Sequence, residues 1–176
     1  MNSQLPNREQ ALGLLQTNNV PSPVINHCIA VSTFAIEIAH KLQVKGLQVN
    51  LQLLEVGALL HDLGRSKSHA VDHGVVGAQI AQSMNLPLAL INVIKRHVGA
   101  GITAQEAQKL CWPKDVYVPQ TLEEKIVCYA DKRVDQGMVV PIKTEIQRLQ
   151  KEGKVDAAER VRSLHNEITS LLDESL

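Results

Sequence analysis

Residues 51–63 read LQLLEVGALLHDL, and apart from Gln52 and Glu55 the segment is apolar until His61. A helix with so little polar surface cannot lie on the outside of a small protein. It belongs in the middle of a bundle, with other elements packed around it. The neighbouring segments have the pattern such packing needs. From Ser22 to Gln43 the apolar residues Val24, Cys28, Val31, Phe34, Ala35, Ile38 and Leu42 recur every three to four positions, the period of one helical face. Near the C-terminus, Ala158, Val161, Leu164, Ile168, Leu171 and Leu172 repeat that stripe over 156–172.

The punctuation between these stretches is also helical. Asn7 is placed to cap a short helix over REQALGLLQ. Gly46 closes the long helix, and Asn50 opens the apolar one. Gly64 is expected to end that helix in a left-handed residue. A further helix is expected over 71–84, with Gly74 and Gly77 three apart on it. Interior glycines cost about 1 kcal/mol each against alanine, so a close backbone approach is the physical reason to keep them. Pro87 suits the first turn of a helix reaching about His97. Thr103 with Glu106, and Thr121 with Glu124, have capping-box spacing. The first opens a short helix through Leu110 and the second a helix running on to about Gly137. Two more follow, over 141–150 and 156–172. VYV at 116–118 is the single β-rich patch, and its flanking prolines limit it. The expectation is an all-α fold, a helical bundle of one domain over residues 1–176.

Composition narrows the function. Lys plus Arg and Asp plus Glu number 18 each, so nothing advertises a broad nucleic-acid surface. Phe34, Trp112, Tyr117 and Tyr129 are the only aromatics, which leaves base stacking a poor basis for binding. Cys28, Cys111 and Cys128 form no CxxC pair, and core packing is the default for Cys28 and Cys128. No basic start with an apolar run and no eighteen-residue apolar stretch occurs, so a cytoplasmic, non-membrane protein is expected. There is no GxGxxG, GxxxxGK or GxSxG element.

The anomaly is polar. His27, His61, Asp62, His73, His97 and Asp131 lie in, or at the ends of, otherwise apolar helical runs. Burying a carboxylate without a partner is expensive, and imidazole with carboxylate is a natural donor set for a divalent metal. Adjacent helix residues point about 100° apart, so His61 and Asp62 can serve one ion only near a helix end. His27 and Asp131 would have to come from neighbouring helices. Single histidines are more often structural, and the sequence does not show that distant residues meet.

The order His27, His61-Asp62, His73, His97, Asp131, in NHCIAVS, LLHDLGRSK, DHGVVGA, IKRHVGAG and YADKRVD, resembles the HD-domain superfamily of metal-dependent phosphohydrolases over residues 22–135. The resemblance implies an HD-domain-like helical bundle with one metal on His27, His61, Asp62 and Asp131. It also implies a second ion on His73 and His97, with Asp62 bridging. Val98 stands where some two-metal members have a further histidine. His73 and His97 are thus left with two roles, ligands of that ion or donors to substrate phosphate. His69 is left as ligand, substrate contact or solvated residue.

The expected cofactor is a divalent transition metal, Mn, Fe, Co, Ni or Zn, one or two ions per chain. The expected chemistry is hydrolysis of a phosphoester in a small phosphorylated substrate, a nucleotide foremost, by metal-activated water. Asp62 orients the water or accepts a proton, and Arg65 and Lys67 hold phosphate oxygens. Arg96, Lys132 and Arg133 are further cations beside the motifs, with Arg133 turned away. The GYP element of cyclic-di-nucleotide phosphodiesterases is absent after His97, where GAGIT stands. Residues beyond Gln136 are left as a cover over the pocket or a homodimer face. The competing readings are an inactive metal- and nucleotide-binding or RNA-associated module, and a structural bundle with incidental histidines.

Overall fold

The structure is a computed structural model that describes residues 4–173. Nine α-helices carry the described fold: α1 (Arg8–Thr17), α2 (Ser22–Val44), α3 (Leu51–Leu60), α4 (His73–Ser83), α5 (Leu88–Arg96), α6 (Ala104–Lys109), α7 (Leu122–Arg133), α8 (Ile142–Lys151) and α9 (Val155–Leu172). Their starts follow the local chemistry. Asn7, Thr103 and Thr121 each close a capping box, with Gln10, Glu106 and Glu124. Asn50 caps α3 through the Leu53 N–H. Prolines precede or open α2, α5 and α8, where a missing N–H costs nothing.

The apolar α3 is the central element. It packs against α1, α2, α5 and α7, and Leu54, Leu59 and Leu60 are fully buried. Burying such a side chain contributes about 1.5–3 kcal/mol. α2 is long and apolar enough to cross a bilayer by length and composition. In this fold it lays Cys28, Val31, Ala35, Ile38, Ala39 and Leu42 into the core. The stripe of α9 is buried within the subunit, against α7 and α8.

Three expectations are corrected. The apolar helix stops at Leu60, not Leu63: Leu63–Ser66 tighten into a 3-10 turn. Gly64 is not a left-handed terminus. It lies inside that turn, pressed on α4, where an added Cβ would run into the His73 carbonyl and come within 2.6 Å of the Gly77 nitrogen. Gly77 answers it from the other side, its Cβ position lying 2.9 Å from the Gly64 nitrogen. The close approach is therefore between α4 and this turn. Finally, α7 ends at Arg133. Val134–Asp135 (β1) and Met138–Val139 (β2) form a two-residue antiparallel hairpin. Gln136 and Gly137 turn it with positive φ of 48° and 79°, as the two central residues of a tight hairpin turn require. Tyr117 makes an isolated bridge with Ile102, so the β-rich patch contributes one rung.

Candidate metal centre

The site is assembled from helix ends. His61 follows the last residue of α3, Asp62 comes next, His73 is the first residue of α4, and His97 follows the last residue of α5. His27 lies in α2 and Asp131 in the last turn of α7. At Asp62 the backbone has left the helix (φ −96°, ψ 18°). His61 and Asp62 can therefore face the same point. The C-terminal ends of α3 and α5 also bring the negative ends of their dipoles toward a cation.

Three histidines are held in one orientation. Nδ1 of His61, His73 and His97 lies 2.6, 2.7 and 2.7 Å from the carbonyl oxygen three residues earlier, of Ala58, Ala70 and Ile94. A carbonyl only accepts, so each Nδ1 carries a proton and each Nε2 is turned inward as the nitrogen that can bind an ion. This is the arrangement by which outer hydrogen bonds fix the tautomer of a metal-ligating imidazole.

The Nε2 atoms converge on the two carboxylates. His61 Nε2 is 3.5 Å from Asp131 Oδ1 and 3.7 Å from Asp62 Oδ2. His27 Nε2 is 2.9 Å from Asp131 Oδ1. His73 and His97 Nε2 lie 3.3 and 3.5 Å from Asp62 Oδ1, and 3.0 Å from each other. Donors bound to one ion at roughly 2.1 Å stand about 3.0–3.4 Å apart at square or tetrahedral angles, close to these spacings. Two ligand groups follow, His27–His61–Asp131 and His61–Asp62–His97.

His61 Nε2 is a buried nitrogen with no hydrogen-bond partner, the sort of atom that calls for an explanation such as an ion. His73 and His97 pose a related problem: with each Nδ1 directed at a carbonyl, their Nε2 atoms face each other at 3.0 Å, a contact that a bound cation would relieve. The residues present fit a divalent metal.

The electrostatics agree. Burial disfavours charge on both aspartates, yet the neighbours reverse it. His61, His73 and His97 hold Asp62 well below the usual carboxylate range. Lys132, His27 and His61 do the same for Asp131. Lys132 is ion-paired with Asp131. His61 is held well above its ordinary value: burial opposes charge there, but Cys28, Asp62 and Asp131 outweigh it. His97 is brought down to about 4 by burial, with His61 and His73 adding repulsion.

The cluster opens into a cleft of about 1160 Å³. Arg65 lines it, with Nε 3.3 Å from Asp62 Oδ1 and Nη1 2.8 Å from the His69 carbonyl. His69 and Lys132 line it as well. Lys67, expected beside Arg65, is exposed and outside the lining, because the 3-10 turn carries it round to solvent. Arg96 is also elsewhere, bidentate on buried Glu124 at 2.9 and 3.0 Å. Arg133 donates to the Tyr129 hydroxyl and the Val140 carbonyl.

Several residues at the site carry no local signal in the sequence. Arg148, Lys154 and Arg160, from α8, α9 and their connection, line the cleft, together with Lys109 of α6. The buried Cys128 thiol lies 3.1 Å from the His97 carbonyl. Only the alternation of cations with a helical stripe could have hinted at the wall, and nothing local distinguishes Cys128 from a packing residue.

An all-helical bundle whose helix ends gather histidines and aspartates around metal-sized gaps defines a class of metal-binding domain. The particular family follows from comparison: the HD domain pattern matches residues 24–134, and the chain belongs to the HD-domain superfamily. An uncharacterized protein of Methanocaldococcus jannaschii is 42% identical over 166 residues, covering 93% of this chain and 98% of that one. The tRNA (cytidine(56)-2'-O)-methyltransferase of Picrophilus torridus is 36% identical over 172 residues, covering 98% of this chain and 49% of that protein. The chain thus spans about half the length of that relative. Among solved structures, the HD domain of the L. monocytogenes phosphodiesterase PgpH in complex with cyclic-di-AMP superposes with a TM-score of 0.57 at 16% identity. The match covers 95% of this chain and 99% of that one, and at that identity the likeness is one of fold.

Proposed function

We propose that this chain hydrolyses a phosphoester in a nucleotide-like molecule with the help of divalent transition metal ions. His27, His61, Asp62 and Asp131 hold one ion. His73 and His97 hold a second, with Asp62 shared. The observation that carries the reading is the set of inward-facing Nε2 atoms around Asp62, one of them a buried nitrogen without a partner. Donors this rich in nitrogen favour Mn, Fe, Co, Ni or Zn over Ca.

Bound ions of this kind activate water and neutralise charge on non-bridging phosphate oxygens. The chain's own residues supply the rest. Asp62 sits where its carboxylate can orient the attacking water. Arg65, held by Asp62 and the His69 carbonyl, keeps its guanidinium at the cleft wall for a phosphate oxygen. The cleft volume of about 1160 Å³ exceeds the roughly 300–1000 Å³ of common small-ligand pockets. That favours a substrate larger than a mononucleotide, and the cyclic-di-AMP bound by the structural relative belongs to that size class.

A second reading is favoured by one observation: nearly all of this chain matches about half of a tRNA methyltransferase. In that reading the domain binds metal and a segment of RNA without turnover. The experiment that separates the two is product analysis with the metal-loaded chain on mononucleotides, cyclic dinucleotides and short oligoribonucleotides. Hydrolysis abolished by thorough chelation and by Asp62→Ala supports the enzyme. Tight binding of an oligoribonucleotide with no product from any of them supports the module.

A further inference from the structure

His97 is followed by a turn that is unusual in its backbone. Gly99, Ala100 and Gly101 all have positive φ, at 61°, 57° and 96°, and Ala100 is a buried residue with a side chain. Such strain persists only where the surroundings over-determine the conformation, and it gathers at functional sites. The turn is gripped at both ends. At its start, the Cys128 thiol of α7 donates to the His97 carbonyl at 3.1 Å. At its end, Arg160 of α9 donates through Nε to the Gly101 carbonyl at 3.1 Å and through Nη2 to Glu106 Oε1 at 3.0 Å. The other Glu106 oxygen accepts from the Thr103 N–H at 2.7 Å and its hydroxyl at 2.9 Å. The guanidinium therefore ties the turn to the capping box of α6.

We propose that Cys128 and Arg160 are positioning residues for His97, clamping the turn after it so that Nε2 stays aimed at Asp62 and His73. The inference rests on the metal reading above for its consequence, not for its geometry. It gives a role to α9, which lies beyond the span matched by the HD family. Arg160 makes a better clamp than an exposed ion pair, because its guanidinium binds a backbone carbonyl as well as a carboxylate and is largely covered.

The decisive measurement is the imidazole nitrogen spectrum of the full chain without metal, with the His97 signals assigned through His97→Gln. Arg160→Met and Cys128→Ala should each move or broaden the His97 signals and leave those of His27 in place. Cys128→Ser, which keeps a donor, should restore the wild-type position. With metal added, the same two variants should bind the ion at His73 and His97 about 10–100-fold more weakly, while the ion at His27, His61 and Asp131 binds as in wild type. His97 signals that coincide with wild type in both Arg160→Met and Cys128→Ala would overturn the proposal. A wild-type chain that binds only one ion would instead count against the two-ion reading, and the metal-free spectra would still decide this one. Should Arg160→Met not fold, Arg160→Ala, which also removes both donors, is read in the same way.

Discussion

Nε2 of His73 and Nε2 of His97 face each other across 3.0 Å, and both rings donate a hydrogen bond from Nδ1 to a backbone carbonyl. Two lone pairs at that distance repel unless something positive lies between or beside them. Metal titration by calorimetry should therefore resolve two binding events in the wild-type chain. His73→Ala and His97→Ala should each remove the weaker event and leave the stronger. Retention of wild-type stoichiometry by both variants would return these histidines to contacts with substrate or to packing.

The two ions should respond differently to pH. In the metal-free protein His61 is held well above its ordinary pKa, so near neutral pH it carries a proton that the first ion must displace. Affinity at that site should fall as pH falls below the raised pKa, by about one log unit per pH unit, with release of about one proton per ion at neutral pH. Asp62 and Asp131 are already ionised there, because their pKa values are depressed. His97, at about 4, is already neutral, so its site should show a much flatter dependence. Calorimetry in buffers of different ionisation enthalpy measures the proton count directly. A first ion that binds without releasing a proton would contradict the charge state assigned to His61.

Arg65 and Lys67 should separate cleanly in kinetics. Arg65 lines the cleft and is anchored on Asp62, whereas Lys67 is exposed outside it. Losing a charged hydrogen bond costs about 1.5–3 kcal/mol, or roughly 10–100-fold in rate. Arg65→Ala should lose that much in kcat/KM on whichever phosphoester is cleaved, and Lys67→Ala should stay within about twofold of wild type. Equal losses in the two variants would mean that the turn rearranges when substrate binds.

The helices were legible because their causes are local. Capping boxes at Thr103–Glu106 and Thr121–Glu124, and the apolar period of α2 and α9, need only neighbouring residues. The polar anomaly was legible for the same reason: histidine and aspartate stand out in apolar runs. Their meeting was not, since His27 and Asp131 are 104 residues apart and only packing brings them to 2.9 Å. The misreadings share that cause. Gly64 looked like a helix terminus, but the approach of α4 decides its role. Lys67 stands near Arg65 in sequence but outside the cleft lining, because the 3-10 turn changes the angle per residue. The hairpin at 134–139 was missed although Gly137, followed by Met138-Val139, is a local turn signal. The helical period leading into it was simply read one turn too far.

Gly64 offers a test that joins fold to site. A methyl group there would collide with backbone atoms of α4, at the His73 carbonyl and the Gly77 nitrogen, and backbone cannot rotate aside as a side chain can. Overpacking usually costs about 1–3 kcal/mol, and Gly64→Ala should reach the top of that range or pass it. In a chain of this size each kcal/mol lowers Tm by roughly 2–4 °C, so a fall of about 6–12 °C is expected. Because His73 is the residue struck, the variant should also bind the His73–His97 ion more weakly than its stability alone would suggest. Gly13→Ala is the control. Gly13 is interior to α1 with nothing within 4 Å of an added Cβ, so the better helix former should gain up to about 1 kcal/mol. Thermal melts of the two variants, with and without metal, measure both effects. A Gly64→Ala chain that melts with the wild type and binds metal normally would show that α4 and the turn can part without cost, and that the close approach does not hold His73 in place.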